Sequence, residues 1–108
     1  MKLITKEIAK LLPALYANED KSADQVRVPL KLFNPTGPGT WYVTEYDPSE
    51  DLGFGFADLG MGPGCAELGY ISIAELRSLR LPLGLTIERD LHWNPETTLK
   101  QVMDGERR

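Results

Sequence analysis

Apolar and polar residues alternate between residues 26 and 33, and this alternation narrows the possible folds more than any other feature. The alternating apolar residues are Val26, Val28, Leu30 and Leu32. Successive side chains of a strand lie on opposite faces, so a period of two predicts a strand with one face on a core. Pro29 has no backbone N–H donor, and a proline inside a sheet favours an edge position. We therefore predict an edge strand here.

The next segments are short and are separated by turn-forming residues. Residues 34–39 are rich in glycine and proline, and residues 40–46 are rich in β-branched and aromatic residues, so a hairpin is predicted. A second turn at residues 47–51 precedes a third strand, in which apolar residues alternate with glycines. After a glycine-rich loop, residues 68–71 form a fourth strand. We expect these four strands to form an antiparallel meander.

Two short helices and a fifth extended segment, residues 83–93, complete the predicted fold. Thr5 is a suitable N-cap for the first helix. Its apolar residues follow a helical spacing and are Ile8, Leu11, Leu12 and Leu15. Ser72 and Glu75 match a capping box at the start of the second helix, which Pro82 ends. The fold class is therefore α+β, with a four- to five-stranded antiparallel meander sheet.

Length and composition favour a single domain. The 108 residues match the commonest domain size, so we expect one α+β domain over residues 1–108, with a frayed helix at residues 96–108 around Leu99 and Val102. Cys65 is the only cysteine and cannot form an internal disulfide. The chain has no signal-peptide pattern and no apolar run of membrane-spanning length. We therefore expect a cytoplasmic protein that does not enter a membrane.

The central part of the chain is uniformly acidic. Residues 32–76 contain seven acidic residues and no basic one, and the net charge of the chain is −4. The candidate protein-binding residues of this part are Glu45, Asp47, Glu50, Asp51, Asp58 and Glu67. With no base among them to neutralise their field, they would steer a partner with a basic surface. The same charge argues against direct binding to nucleic acid.

Several segments of the chain resemble a known bacterial family. These segments are residues 40–47, 56–62, 67–76 and 82–93, together with residues 1–5 and 12–16. In order and spacing they are similar to the family called domain of unknown function 2958. The resemblance implies a small bacterial protein of plasmids, integrated elements or phages, sometimes encoded near anti-restriction genes. It implies no catalytic residue and no cofactor.

These observations favour a non-enzymatic accessory protein of mobile genetic elements that acts by binding another protein. The acidic residues suggest an inhibitor of a host nucleic-acid-processing defence enzyme as the specific hypothesis. Tyrosines and tryptophans left exposed are further candidates for protein contacts, because these residue types are enriched at interfaces. The tyrosines and tryptophans in question are Trp41, Tyr42, Tyr46, Tyr70 and Trp93. The partner and the oligomeric state stay open.

The alternative hypothesis is a small metal-dependent or acid–base enzyme. If residues 87–93 are extended, Glu88, Asp90 and His92 project on one face, while Ile87, Leu91 and Trp93 point the other way. Two carboxylates and an imidazole on one face are suited to hold a divalent metal or to transfer protons. The competing interpretation is the solvated outer face of a strand, with a carboxylate paired to an arginine.

Two other patterns carry less weight. Gly60, Gly62 and Gly64 are spaced as in some phosphate-binding loops, but those loops open a helix and here a strand follows. Cys65 and His92 are the only residues of their types and fall in no known thiol–imidazole motif. We therefore interpret the glycines as a flexible connection and the two side chains as unreactive.

Overall fold

A computed structural model describes residues 1–60 and 66–105. The α-helices are α1 (Lys6–Leu11), α2 (Ile73–Ser78) and α3 (Leu99–Met103), the strands are β1 (Leu30–Phe33), β2 (Thr40–Asp47), β3 (Leu52–Asp58), β4 (Glu67–Ser72) and β5 (Glu88–Arg89), and two 3₁₀ turns span Ala23–Gln25 and Pro82–Gly84. The α+β class is confirmed.

The strands form one antiparallel sheet in the order β4-β3-β2-β1-β5. The first four strands are neighbours in chain order, so the predicted meander is confirmed. β5 pairs with the outer side of β1, through Leu32 with Arg89 and Phe33 with Glu88. The prediction that the first strand lies at an edge is therefore wrong. Pro29 precedes the first residue of β1, so its missing N–H falls outside the ladder and leaves both sides of the strand free to pair.

A β-bulge interrupts the pairing of β2 with β3. Val43 lies opposite Gly55, but the next pair is Glu45 with Phe54, so Thr44 is the extra residue. An inserted residue shifts the alternation of the strand that carries it. The bulge thereby directs Glu45 to the sheet face that carries Phe54, instead of to the opposite face with Val43.

Two apolar clusters cover the two faces of the sheet. The first contains Leu3, Leu12, Leu30, Leu32, Val43, Ile71, Ile73, Leu76 and Ile87. The second contains Val26, Val28, Tyr42, Phe56, Trp93, Leu99 and Val102. The alternating residues of the first predicted strand are all buried but divide between the clusters, because the chain before β1 leaves the sheet. There the backbone N–H of Val28 donates to Thr97, and that of Leu99 donates to Val26.

The predicted N-caps of α1 and α2 are confirmed, but of the capping box predicted at α2 the structure shows only the bond to the Ser72 hydroxyl. The Thr5 side chain accepts a hydrogen bond from the Ile8 N–H at the start of α1, and Ser72 accepts one from Glu75 at the start of α2, 3.1 Å long. The predicted apolar stripe of α1 is only partly correct, because Leu12 is buried whereas Leu11 is half exposed.

The C-terminal segment is anchored to the rest of the chain as far as it is described. Thr98 and Gln101 form a capping box at the start of α3, and Leu99 and Val102 are buried in the second cluster. Among the described helices, none is long and apolar enough to cross a membrane.

Candidate functional site

The six acidic residues do not gather on one surface. Asp47, Glu50 and Asp51 lie in or beside the turn between β2 and β3, whereas Asp58 and Glu67 lie at the other end of the sheet. The seven residues of β3 separate the two groups by about 20 Å at the usual rise of a strand. A single acidic patch is therefore not formed.

Glu45 is a buried residue that accepts backbone hydrogen bonds. Its side chain is 5% exposed, and its two carboxylate oxygens accept hydrogen bonds from the backbone N–H groups of Tyr16 (2.8 Å) and Asn18 (2.9 Å). Backbone donors of an irregular segment need acceptors when they are removed from water. Glu45 therefore holds the loop that follows α1 against β2.

Asp51 is paired with a base. Its carboxylate accepts hydrogen bonds from the Arg77 guanidinium (3.0 and 3.3 Å) and from the Tyr46 hydroxyl (2.5 Å). Its carbonyl also accepts the N–H groups of Ile73 and Ala74, at the start of α2. The expectation that no base neutralises the acidic stretch is wrong for this residue, since Arg77 follows the stretch in sequence but folds back onto it.

This contact shifts the pKa of all three groups. Partial burial acts to raise the pKa of Asp51, but the hydrogen bonds from Arg77 and Tyr46 and the charge of Arg77 outweigh it, so the pKa is lowered. Burial, followed by the hydrogen bond to Asp51, raises the pKa of Tyr46 to about 12. The hydrogen bond to Asp51 raises the pKa of Arg77. The contacts among Tyr46, Asp51 and Arg77 hold the turn between β2 and β3 against α2.

Two further acidic residues organise turns. Asp47 accepts hydrogen bonds from the N–H (3.0 Å) and the hydroxyl (2.7 Å) of Ser49, and Asp58 accepts one from the N–H of Gly60 (3.0 Å). Such local bonds are the common role of aspartate in turns. Glu50 and Glu67 are exposed.

Residues 87–93 are not extended throughout, so the predicted face of Glu88, Asp90 and His92 does not form. β5 ends at Arg89, and a turn follows in which the N–H of Trp93 donates to the carbonyl of Asp90. The Asp90 carboxylate lies 3.3 Å from the Lys31 ammonium and accepts the N–H of His92. In the described part of the chain, no group of three or more histidine, cysteine, aspartate or glutamate residues is arranged to hold a metal ion.

The candidate thiol and part of the glycine pattern lie outside the described residues. They are Gly62, Gly64 and Cys65.

The structure brings together a different set of residues, around a cleft of about 430 Å³. The walls of this cleft are the loop after α1, the face of β2, β3 and β4, and α3. Six of the residues that line the cleft are Tyr16, Glu45, Phe54, Leu68, Tyr70 and Met103. Its size falls in the range of about 300 to 1,000 Å³ that is usual for ligand sites.

Tyr16 and Tyr70 approach each other at the cleft. Tyr16 has a positive φ of 71°, and its hydroxyl lies 2.5 Å from that of Tyr70. Tyr70 in turn packs edge-on against Phe54, with ring centroids 5.6 Å apart. The hydrogen bond with Tyr16, followed by desolvation and the charges of Tyr16 and Glu45, raises the pKa of Tyr70.

Sequence reasoning found part of this site. Tyr70 is among the tyrosines predicted as protein contacts, and Glu45 is among the predicted acidic binding residues. The predicted sites do not include Tyr16, Phe54, Leu68 or Met103. The available signal was the alternation in β4, where Leu68 and Tyr70 occupy the same face.

Comparison with curated proteins and with solved structures finds no match. The family described as "Protein of unknown function (DUF2958)" matches residues 3–108, which is nearly all of the sequence. The chain therefore belongs to this family.

Proposed function

We propose that this protein acts without catalysis, by binding another protein through the cleft beside β4. The observation that carries the proposal is the concentration of exposed apolar residues at this place. Tyr16, Leu68, Tyr70 and Met103 are 62, 43, 57 and 46% exposed, and all four line the cleft. Contiguous apolar surface rimmed by polar residues is typical of interaction sites. Tyrosine is also among the residues that contribute most to binding energy.

The position of β4 supports the same proposal. β4 is the last strand of the sheet on its side, and its described residues pair only with β3. An edge strand presents backbone donors and acceptors to which an extended segment of a partner can add. Such a segment would run along β4 and place its side chains at the cleft, where Leu68 and Tyr70 project.

For the partner we propose a protein with a basic surface, such as a nucleic-acid-processing defence enzyme of the host. Support comes from the resemblance to mobile-element proteins and from the exposed acidic residues, which steer a basic partner from a distance. Of the six predicted acidic residues, Glu50 and Glu67 are exposed and serve this role, at opposite ends of the sheet. We place the interaction in the bacterial cytoplasm, which fits a chain with one cysteine.

The test is affinity purification from a bacterial lysate with matched variants. Leu68→Ala combined with Tyr70→Ala should retain at least tenfold less partner than the wild type, if the two side chains together supply 1.4 kcal/mol or more, as about tenfold requires. Leu79→Ala is the control, since Leu79 is 42% exposed, close to the 43% of Leu68, and does not line the cleft. Thermal unfolding checks that all variants are folded. Equal retention by the cleft variant and the wild type would contradict the proposal.

A further inference from the structure

We infer that the cleft receives an arginine side chain of the partner, with its guanidinium group beside Glu45 and next to the aromatic side chains that line the cleft. This inference rests on the proposed function and specifies its partner. It starts from a buried carboxylate that lacks a cation. Glu45 is 5% exposed, and it takes part in no ion pair among the described residues.

The carboxylate has acceptor capacity left. An ionised carboxyl group offers about four acceptor positions on its two oxygens. The N–H groups of Tyr16 and Asn18 use one position on each oxygen. A guanidinium group donates two parallel hydrogen bonds to such a pair of oxygens, and these charge-assisted bonds are stronger than neutral ones.

The aromatic walls favour a cation at the same place. Tyr16, Phe54 and Tyr70 all line the cleft, and the Phe54 and Tyr70 rings pack edge to face with their centroids 5.6 Å apart. The face of an aromatic ring attracts a cation, and arginine is found there more often than lysine. The charge of Glu45 and the aromatic lining of the cleft therefore point to the same ligand class.

Arginine fits better than the alternatives. Its guanidinium is planar and weakly hydrated, so it can stack on a ring and leave water at a lower cost than an ammonium group. Its apolar stem suits a cleft whose lining includes Leu68 and Met103. Two exposed residues at the cleft, Glu19 and Lys21, carry opposite charges that cancel. The net charge of the cleft lining is therefore the negative charge of Glu45.

The test uses a tripeptide probe, acetyl-Ala-Arg-Ala-amide, titrated into the ¹⁵N-labelled protein and followed by NMR. A second probe replaces arginine with citrulline, which has the same shape and no charge. We expect the arginine peptide to shift the amide signals of Tyr16 and Asn18 and to bind about tenfold more tightly than the citrulline peptide, as charge-assisted bonds of about 1.5 kcal/mol or more require. Equal affinity of the two probes, or no shift at these amides up to tens of millimolar, would overturn the inference.

Two variants extend the test. Glu45→Gln removes the charge and should abolish the preference for arginine over citrulline, and Tyr70→Leu should weaken arginine binding by removing a ring while keeping the surface apolar. Retained preference in a folded Glu45→Gln protein would overturn the inference. If Glu45→Gln does not fold, the two probes on the wild type and on Tyr70→Leu decide.

Failure of the inference and failure of the proposed function are distinguishable. If the cleft variant loses its protein partner but the probes do not discriminate charge, the cleft binds a protein without an arginine anchor. If the cleft variant keeps its partner, the proposed function itself fails.

Discussion

The hydroxyl groups of Tyr16 and Tyr70 lie 2.5 Å apart, although 54 positions separate the two residues in the chain. The contact joins the loop after α1 to the edge strand β4. Tyr16 holds a positive φ, which is uncommon for a residue other than glycine. The loop keeps this conformation because the Glu45 carboxylate, on β2, accepts hydrogen bonds from the backbone N–H groups of Tyr16 and Asn18. One buried carboxylate and one hydroxyl contact therefore shape the cleft.

Replacing Tyr16 by phenylalanine should lower the pKa of Tyr70. The hydrogen bond with Tyr16 is the main reason that the pKa of Tyr70 is raised, so its loss moves the titration toward the ordinary value near 10. NMR titration of tyrosine labelled at Cζ measures this shift. Tyr46 is the internal control, since its pKa of about 12 depends on burial and on Asp51. An unchanged Tyr70 titration would mean that the two hydroxyls do not meet in solution.

Replacing Asp51 by asparagine should reduce both stability and acid sensitivity. The pKa of Asp51 is lowered in the folded state, so its ionised form contributes stability above the unfolded pKa near 4, and that contribution is lost as pH falls through the folded pKa. For a partly exposed ion pair with Arg77 the loss at neutral pH is about 1 kcal/mol. Asparagine also tolerates the positive φ of this position.

Urea unfolding at pH 7 and at pH 3 measures both effects. The stability difference between Asp51→Asn and the wild type should narrow at the lower pH. Glu50→Gln, in the same turn but exposed, is the control and should behave as the wild type. A difference that stays constant between the two pH values would show that the ion pair is not the cause.

The parts of the fold that depend on neighbouring residues could be predicted from the sequence. The cap at Ser72 and the turns between β1, β2 and β3 depend on a few adjacent residues. The error at Pro29 had a different origin. Whether β1 lies at the edge or inside the sheet depends on β5, which follows β1 by 55 or more residues in the chain. The split of the alternating residues between two clusters likewise depends on α3, which the sequence pattern of residues 26–33 cannot indicate.

The site was predicted less well, because charge in a sequence does not show where a side chain points. The sequence predicts Glu45 as a surface acid, but the bulge at Thr44 turns it inward. It predicts Asp51 as unneutralised, but α2 brings Arg77 to it. A period of two places Glu88, Asp90 and His92 on one face, but that period stops where the chain turns after Arg89. Each error comes from a tertiary contact or a change of backbone direction.

Replacing Ser72 by alanine should destabilise the protein by about 1 kcal/mol. The Ser72 hydroxyl accepts the N–H of Glu75 at 3.1 Å, and this N–H has no partner within α2. The matched control is Ser78→Ala in the last turn of the same helix, where the hydroxyl donates to the Glu75 carbonyl and alanine favours the helix. Denaturant midpoints compare the two. Equal midpoints for both variants would show that the Ser72 cap does not stabilise the protein.

Gly55 and Gly69 face each other across β3 and β4, yet we expect very different results from replacing them by alanine. A Cβ atom on Gly55 would overlap the carbonyl oxygen of Tyr42 in the adjacent strand, and backbone cannot move aside without breaking the ladder. A Cβ atom on Gly69 would meet no heavy atom within 4 Å. Gly55→Ala should therefore cost about 3 kcal/mol, the upper end of the usual cost of overpacking.

Gly69→Ala should leave stability unchanged or raise it slightly, because alanine loses less backbone entropy on folding than glycine does. Thermal unfolding of the two variants, followed by circular dichroism, checks the contrast in one experiment. It also tests the bulge that directs Glu45 into the cleft, since Gly55 lies opposite Val43, the last residue before the bulge. If the two variants melt at the same temperature, β2 does not approach β3 as closely as described, and the position of Glu45 would have to be reassigned.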